Sequence, residues 1–186
     1  MAVLFISEDT IKKSTTINGN VDVELLLPYI KVAQDIHVQQ VLGTDLYDKI
    51  QSEISGSSLA GAYKTLVDTY IQPVLIHYSL YECLPFLSYK IMNKDIVRKL
   101  SETSTGATLE DIKYLRNVVL NTAEFYTKRL VDYLRHNNSS YPEYSTNSVA
   151  DMSPDKSAYY SNMNLDKIQR SSRITLNDFL TPDLKI

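Results

Sequence analysis

The run IQPVLIHYSLYECLPFLSYKIM (71–92) carries apolar side chains around its whole circumference: Val74, Leu75, Ile76, Tyr78, Leu80, Tyr81, Leu84, Phe86 and Leu87. A helix of this kind is stable only when other elements cover it, so it predicts a central helix within a bundle. Pro73 falls in its first turn, where a missing N–H is tolerated, while Pro85 is expected to kink or stop it. The covering helices are read from apolar residues at three-to-four spacing. From Asn20, Leu26, Ile30, Ala33, Ile36, His37 and Val41 form such a stripe, closed by Gly43. Pro28 divides it into a short turn over 22–27 and a main helix with Pro28 as its first residue.

Thr44 is expected to cap the next helix, DLYDKIQSEI, with Asp45 facing the positive end of the dipole and SGSS ending it. A separate helix follows over about 59–70, before the central one. Thr108 and Asp111 have the spacing of a capping box and open the longest helix, about 109–135. Its core-facing side is expected to hold Leu109, Ile112, Leu115, Val119, Ala123, Tyr126, Leu130, Tyr133 and Leu134. Near the N-terminus, SEDTIKK is a single turn capped by Ser7. Between the central and longest helices, residues 93–107 mix charge with a Ser-Thr-Gly turn and a β-favouring Ile96-Val97, which reads as an exposed hairpin-like loop. The fold class is therefore all-α: a small helical bundle with a protruding hairpin-like loop and a long extended C-terminal arm. The chain divides into a leader (1–19), a helical core (20–136) and the arm (137–186).

The arm is rich in Ser, Asn, Asp and Tyr and has no helical or strand period. Ordering each residue costs roughly 1–2 kcal/mol, so an arm this poor in apolar side chains needs contacts with another surface. Tyr141, Tyr144, Tyr159, Tyr160, Ile174, Leu176, Phe179 and Leu180 are spaced as anchors for one. Fourteen tyrosines and no tryptophan supply apolar area with a polar tip, which suits interfaces. Arg98 and Lys99 on the loop are the basic pair best placed to touch a polyanion.

A net charge of −3 and a pI near 5.6 give no basic footprint for wrapping nucleic acid. The first apolar run, residues 2–6, is too short for a signal-peptide core, and no segment approaches the ~20 apolar residues of a spanning helix. A single cysteine, Cys83, rules out an intramolecular disulfide, fits a protein made in a reducing cytosol, and is expected as a buried, inert thiol. His37, His77 and His136 have no metal-ligand spacing, and no cofactor is implied. His77 is expected as a hydrogen-bonded core residue and His136 as a helix-end charge, while His37 and Asp35 point to different faces. Glu82, the acid within the central helix, lacks a local acidic partner and is expected to face a polar neighbour or a subunit interface. No phosphate loop, nucleophile elbow or HExxH is present, so catalysis is not expected.

The segments VDVELLLPYIKVAQDIHVQQVLGTDLYDKI (21–50), YKTLVDTYIQPVLIHYSLYECLPFL (63–87) and FYTKRLVDYLRHN (125–137) resemble the head-tail connector or adaptor proteins of tailed bacteriophages. The likeness is strongest to the adaptor of phages of Bacteroidetes, crAss-like ones included, and covers most of residues 4–160. It implies a bundle with a protruding loop, assembled as a homo-oligomeric ring of twelve copies beneath the portal protein. Such a ring prolongs the DNA channel, holds further neck or tail proteins, and resides in the virion neck after synthesis in the host cytoplasm. DNA passes through without sequence-specific binding, and no membrane is involved. Two other readings compete: an antitoxin-like helical module whose tail folds on a target, and an enzyme using Glu82, His77 and Tyr81 in a bundle pocket.

Overall fold

A computed structural model describes residues 3–17, 20–91, 93, 96–98, 107–146, 148 and 151–156. The chain is an all-α bundle. α1 (Glu8–Ser14) opens at Ser7, whose hydroxyl accepts from the Thr10 amide, and its acids and lysines sit at the ends favoured by the dipole. α2 (Val23–Ala33) continues through a π-helical turn (Gln34–Val38) into α3 (Gln39–Leu42). Pro28 therefore lies inside α2 and does not begin a helix. Its missing N–H leaves one carbonyl without its usual donor, at an exposed position open to water. The π turn also shifts the helical phase. Gln34, Val38, Val41 and Leu42 continue the buried side, whereas Ile36 stays in line with the outward Leu25 and Val32 and is 53% exposed.

Gly43 separates α3 from α4 (Thr44–Ser55), with φ +75° and ψ 158°, a region that only glycine enters without strain. Thr44 is thus the first residue of α4 and not its cap. The helices expected over 59–70 and after Pro73 are one continuous segment: α5 (Gly61–Thr65), a second π turn (Leu66–Ile71) and α6 (Gln72–Ser88). The Gln72 amide bonds Val67 O across the π turn, so the chain stays helical up to Pro73. α6 is the centre of the bundle, packed between α2 and α7 with α1 against it, and it buries Leu75, Ser79 and Cys83 among others. Pro85 does not stop it. The helix runs to Ser88, where Tyr89 N–H bonds the Pro85 carbonyl.

The loop after α6 forms a hairpin from β1 (Tyr89–Ile91) and β2 (Ile96–Arg98), antiparallel with Tyr89 opposite Arg98 and Ile91 opposite Ile96. The Arg98 side chain and Lys99 lie outside the described residues. α7 (Leu109–His136) begins with the expected box: Thr108 Oγ1 accepts from Asp111 N, and Asp111 Oδ2 accepts from Thr108 N at 2.9 Å. Its inner face is Ile112, Ala123, Leu130, Val131 and Leu134. Leu109 and Leu115, expected on that face, are 55% and 47% exposed. At about 100° per residue Leu115 shares its angle with Tyr133, which packs on the core, so its exposure follows from its place nearer the start of α7 and not from its angle. Leu109 sits in the opening turn, at the very end of the helix.

The arm departs most from expectation. After two 3-10 turns (Asn138–Ser140 and Pro142–Tyr144), Tyr141 and Tyr144 are fully buried in the chain's own core, not held out for another molecule. The surface they need is supplied from within: Tyr141 OH donates to Ala62 O at 3.0 Å, and its ring meets the Tyr63 edge at 5.6 Å. Tyr63 OH in turn donates to Glu143 at 2.7 Å. Residues 148 and 151–156 then lie across the α3–α4 corner as a strap. Thr44 N donates to Met152 O at 2.9 Å and Asp155 N to Gln40 O at 2.8 Å, while Pro154 lies where a Gly43 Cβ would stand, 2.6 Å away. The boundary drawn at His136 therefore falls inside packed structure. Tyr159, Tyr160, Ile174, Leu176, Phe179 and Leu180 lie outside the described residues.

Candidate interaction surfaces

Polar side chains meet at the first π turn. Gln34 is fully buried; its carbonyl accepts from Phe5 N at 2.8 Å, and its amide donates to Val3 O and to Tyr47 OH, each at 2.9 Å. Tyr47 OH donates to Asp35 at 2.9 Å, and Lys31 closes the group with an ion pair to the same carboxylate. His37 stacks on Tyr78 at 3.7 Å, with Nε2 3.0 Å from Glu82 Oε1. This supplies the polar neighbour expected for Glu82, from a residue 45 positions away. The pair ties the π turn to α6. Periodicity places His37 on the inward side of the helix, but it cannot name a partner 45 residues away.

The three residues weighed as a catalytic group are separately engaged. Glu82 faces His37; His77 stacks on Tyr126 at 5.3 Å, where a hydrogen bond had been expected; Tyr81 lies beneath Arg116, whose guanidinium carbon is 4.0 Å from the ring centroid. Cys83 Sγ–H donates to Leu80 O, and burial pushes the thiol up to about 12, which makes it a poor nucleophile. Among the described residues no group of three His, Cys, Asp or Glu could hold a metal ion. No described helix is long and apolar enough to cross a membrane.

Two apolar stripes remain on the outside. On α7, Tyr114, Val118 and Phe125 are 69%, 46% and 52% exposed. At 100° per residue they fall within about 40° of one another and nearly opposite the Ala123–Leu130 face, so α7 is apolar on two sides. Below Phe125, Lys128, Arg129 and Asp132 line a groove of about 410 Å³. Arg129 is steadied over the Tyr70 ring at 4.9 Å, and Tyr70 stacks on Tyr133 at 3.7 Å. The second stripe runs along α2 into the π turn: Leu25, Val32 and Ile36 are exposed, with the half-buried Tyr29 between them. Tyr29 stacks on Phe86 of α6 at 5.0 Å, which brings the exposed Phe86 into this patch. Phe86, expected to be covered like the rest of α6, is 41% exposed. The stripe was legible as an i, i+4, i+7, i+11 spacing, but it was hidden behind the stronger buried stripe beside it.

The exposed stripes lie on different flanks of the centre, because α7 meets α6 through His77 and Tyr81 whereas α2 and the π turn meet it through Glu82 and Phe86. Of the expected interface residues, Tyr141 and Tyr144 are closed off inside the core. A family described as a family of unknown function (DUF6712) matches residues 38–154, a span that includes α7, the hairpin and most of the strap. No curated protein and no solved structure matches the chain.

Proposed function

We propose, for a chain that belongs to the DUF6712 family, the role of a structural subunit in a phage head-tail connector ring. The ring of twelve copies would sit below the portal protein in the virion neck, prolong the DNA channel and offer further neck or tail proteins a docking surface. The observation that carries this reading is the second apolar side of α7. A 28-residue helix that is buried on one face and presents Tyr114, Val118 and Phe125 on the other has the surface of an assembly component. The resemblance of residues 21–50, 63–87 and 125–137 to connector proteins supplies the kind of assembly. A net charge of −3 suits a channel wall that must let phosphates slide past without holding them. No catalytic step is assigned, since Glu82, His77 and Tyr81 each serve a packing contact. The portal-facing contacts would come from the C-terminal arm, whose sequence carries Ile174, Leu176, Phe179 and Leu180.

Electron microscopy of the purified virion neck, with native mass spectrometry of its components, tests the reading. The chain should occur there in multiple copies as a ring. A chain that is absent from particles and forms a one-to-one complex with a cellular target would replace this reading with the regulatory one.

A further inference from the structure

The two exposed stripes match each other in length, character and charge. Leu25 to Ile36 and Tyr114 to Phe125 each span eleven residue steps, about 16 Å of helix. Each is flanked by charge, and on α7 the sign differs between the ends: Glu110 and Asp111, with Lys113, are exposed near Tyr114, and bases predominate beyond Phe125. Asp22 and Glu24 are exposed beside Leu25 at the start of α2. Lys128, Arg129 and Arg135 are exposed beyond Phe125 towards the end of α7, against the single acid Asp132 in the groove. The positive groove thus lies at the C-terminal end of one stripe and the acids at the N-terminal end of the other. Bringing opposite charges together sets the helices antiparallel, which also opposes their dipoles favourably.

From this we infer that the occupant of the α7 stripe is α2 of a second copy of the same chain. Leu25 seats at Phe125 and its groove, Val32 near Val118, and Ile36 near Tyr114. The inference rests on the ring reading above and adds to it the two surfaces and their direction. The stripes are different surfaces on different flanks of one chain, so the contact is heterologous: every copy offers one of each, and the contact repeats until a ring closes. The Tyr29–Phe86 stack widens the α2 side of the contact, and the Arg129–Tyr70 stack steadies the α7 side.

Disulfide trapping in the full-length chain tests the pairing, because a bridge forms only when the two Cα atoms come within about 7 Å. Cys83 is buried and its thiol is poorly ionised, so it stays out of the reaction. The double variant Leu25→Cys with Phe125→Cys, oxidised mildly, should give a ladder of covalent dimers, trimers and larger species on a non-reducing gel. Either single variant should stop at a minor dimer band at most. Leu25→Cys with Tyr114→Cys, which reports the opposite direction, should give no ladder. A ladder from that last pair, or strong dimers from a single variant, overturns the antiparallel heterologous contact. Native mass spectrometry of the wild-type chain separates the two levels. Oligomers without the 25–125 bridge reject this pairing and leave the ring standing, whereas a chain that stays monomeric at high concentration rejects both.

Discussion

The segment after α7 and the outer face of α7 use the same kinds of side chain in opposite ways. Tyr141 and Tyr144 belong to a polar, aperiodic stretch and are fully buried; Tyr114 and Phe125 belong to a long regular helix and stand in solvent. Hydropathy along the chain predicts the reverse. What decides is whether another part of the chain offers a surface at the right distance. Ala62, Tyr63 and Tyr133 receive Tyr141, and nothing in the described chain covers Tyr114. Aromatic residues in the first group therefore hold the fold together, and those in the second are free to hold an assembly together.

Tyr141→Ala should have the largest effect. It removes a fully buried ring and the hydrogen bond to Ala62 O, at a cost of about 3–5 kcal/mol, read as a lowered urea midpoint. A loss under about 1 kcal/mol would mean that the segment is not part of the core. Gly43→Ala comes next. Its backbone angles and the Pro154 ring both exclude a Cβ, so about 1–3 kcal/mol should be lost and the strap should become open to protease. If cleavage within 148–156 were unchanged, the strap would not depend on that close approach.

A smaller effect should follow acidification. Burial holds the His77 imidazole below its ordinary value, so the unfolded chain takes up this proton more readily than the folded one. Stability should therefore decline as pH falls through about 6.5 and level off once the folded form protonates as well. His77→Gln should flatten part of the slope between pH 7.5 and 5.5; an unaltered slope would assign it to other groups. Phe125→Ser should be the mildest for folding, within about 0.5 kcal/mol of wild type, and a loss as large as that of Tyr141→Ala would erase the contrast between the two regions.

Much of the architecture was legible in the residues because its causes are local. The Thr108–Asp111 box, the Ser7 cap, the stop at Gly43, the hairpin around Ile96 and the central place of α6 all follow from spacing within a few residues. The candidate surfaces were legible only in part. The exposed face of α7 could be read by placing Tyr114, Val118 and Phe125 on a helical wheel, but their exposure depends on how much of α7 the bundle covers.

The remaining features depend on elements distant in sequence. Pro28 and Pro73 punctuate a local reading, yet α2 runs straight through Pro28 and the second π turn keeps the chain helical up to Pro73. His37 finds Glu82 across 45 residues, and Gln39 and Thr44 find Asp151 across more than a hundred. Spacing along a chain specifies which side of each helix is apolar, since that is a matter of angle per residue. Which apolar side is buried, and which is left exposed, is settled by packing, because burial requires an opposing surface that only the assembled bundle provides.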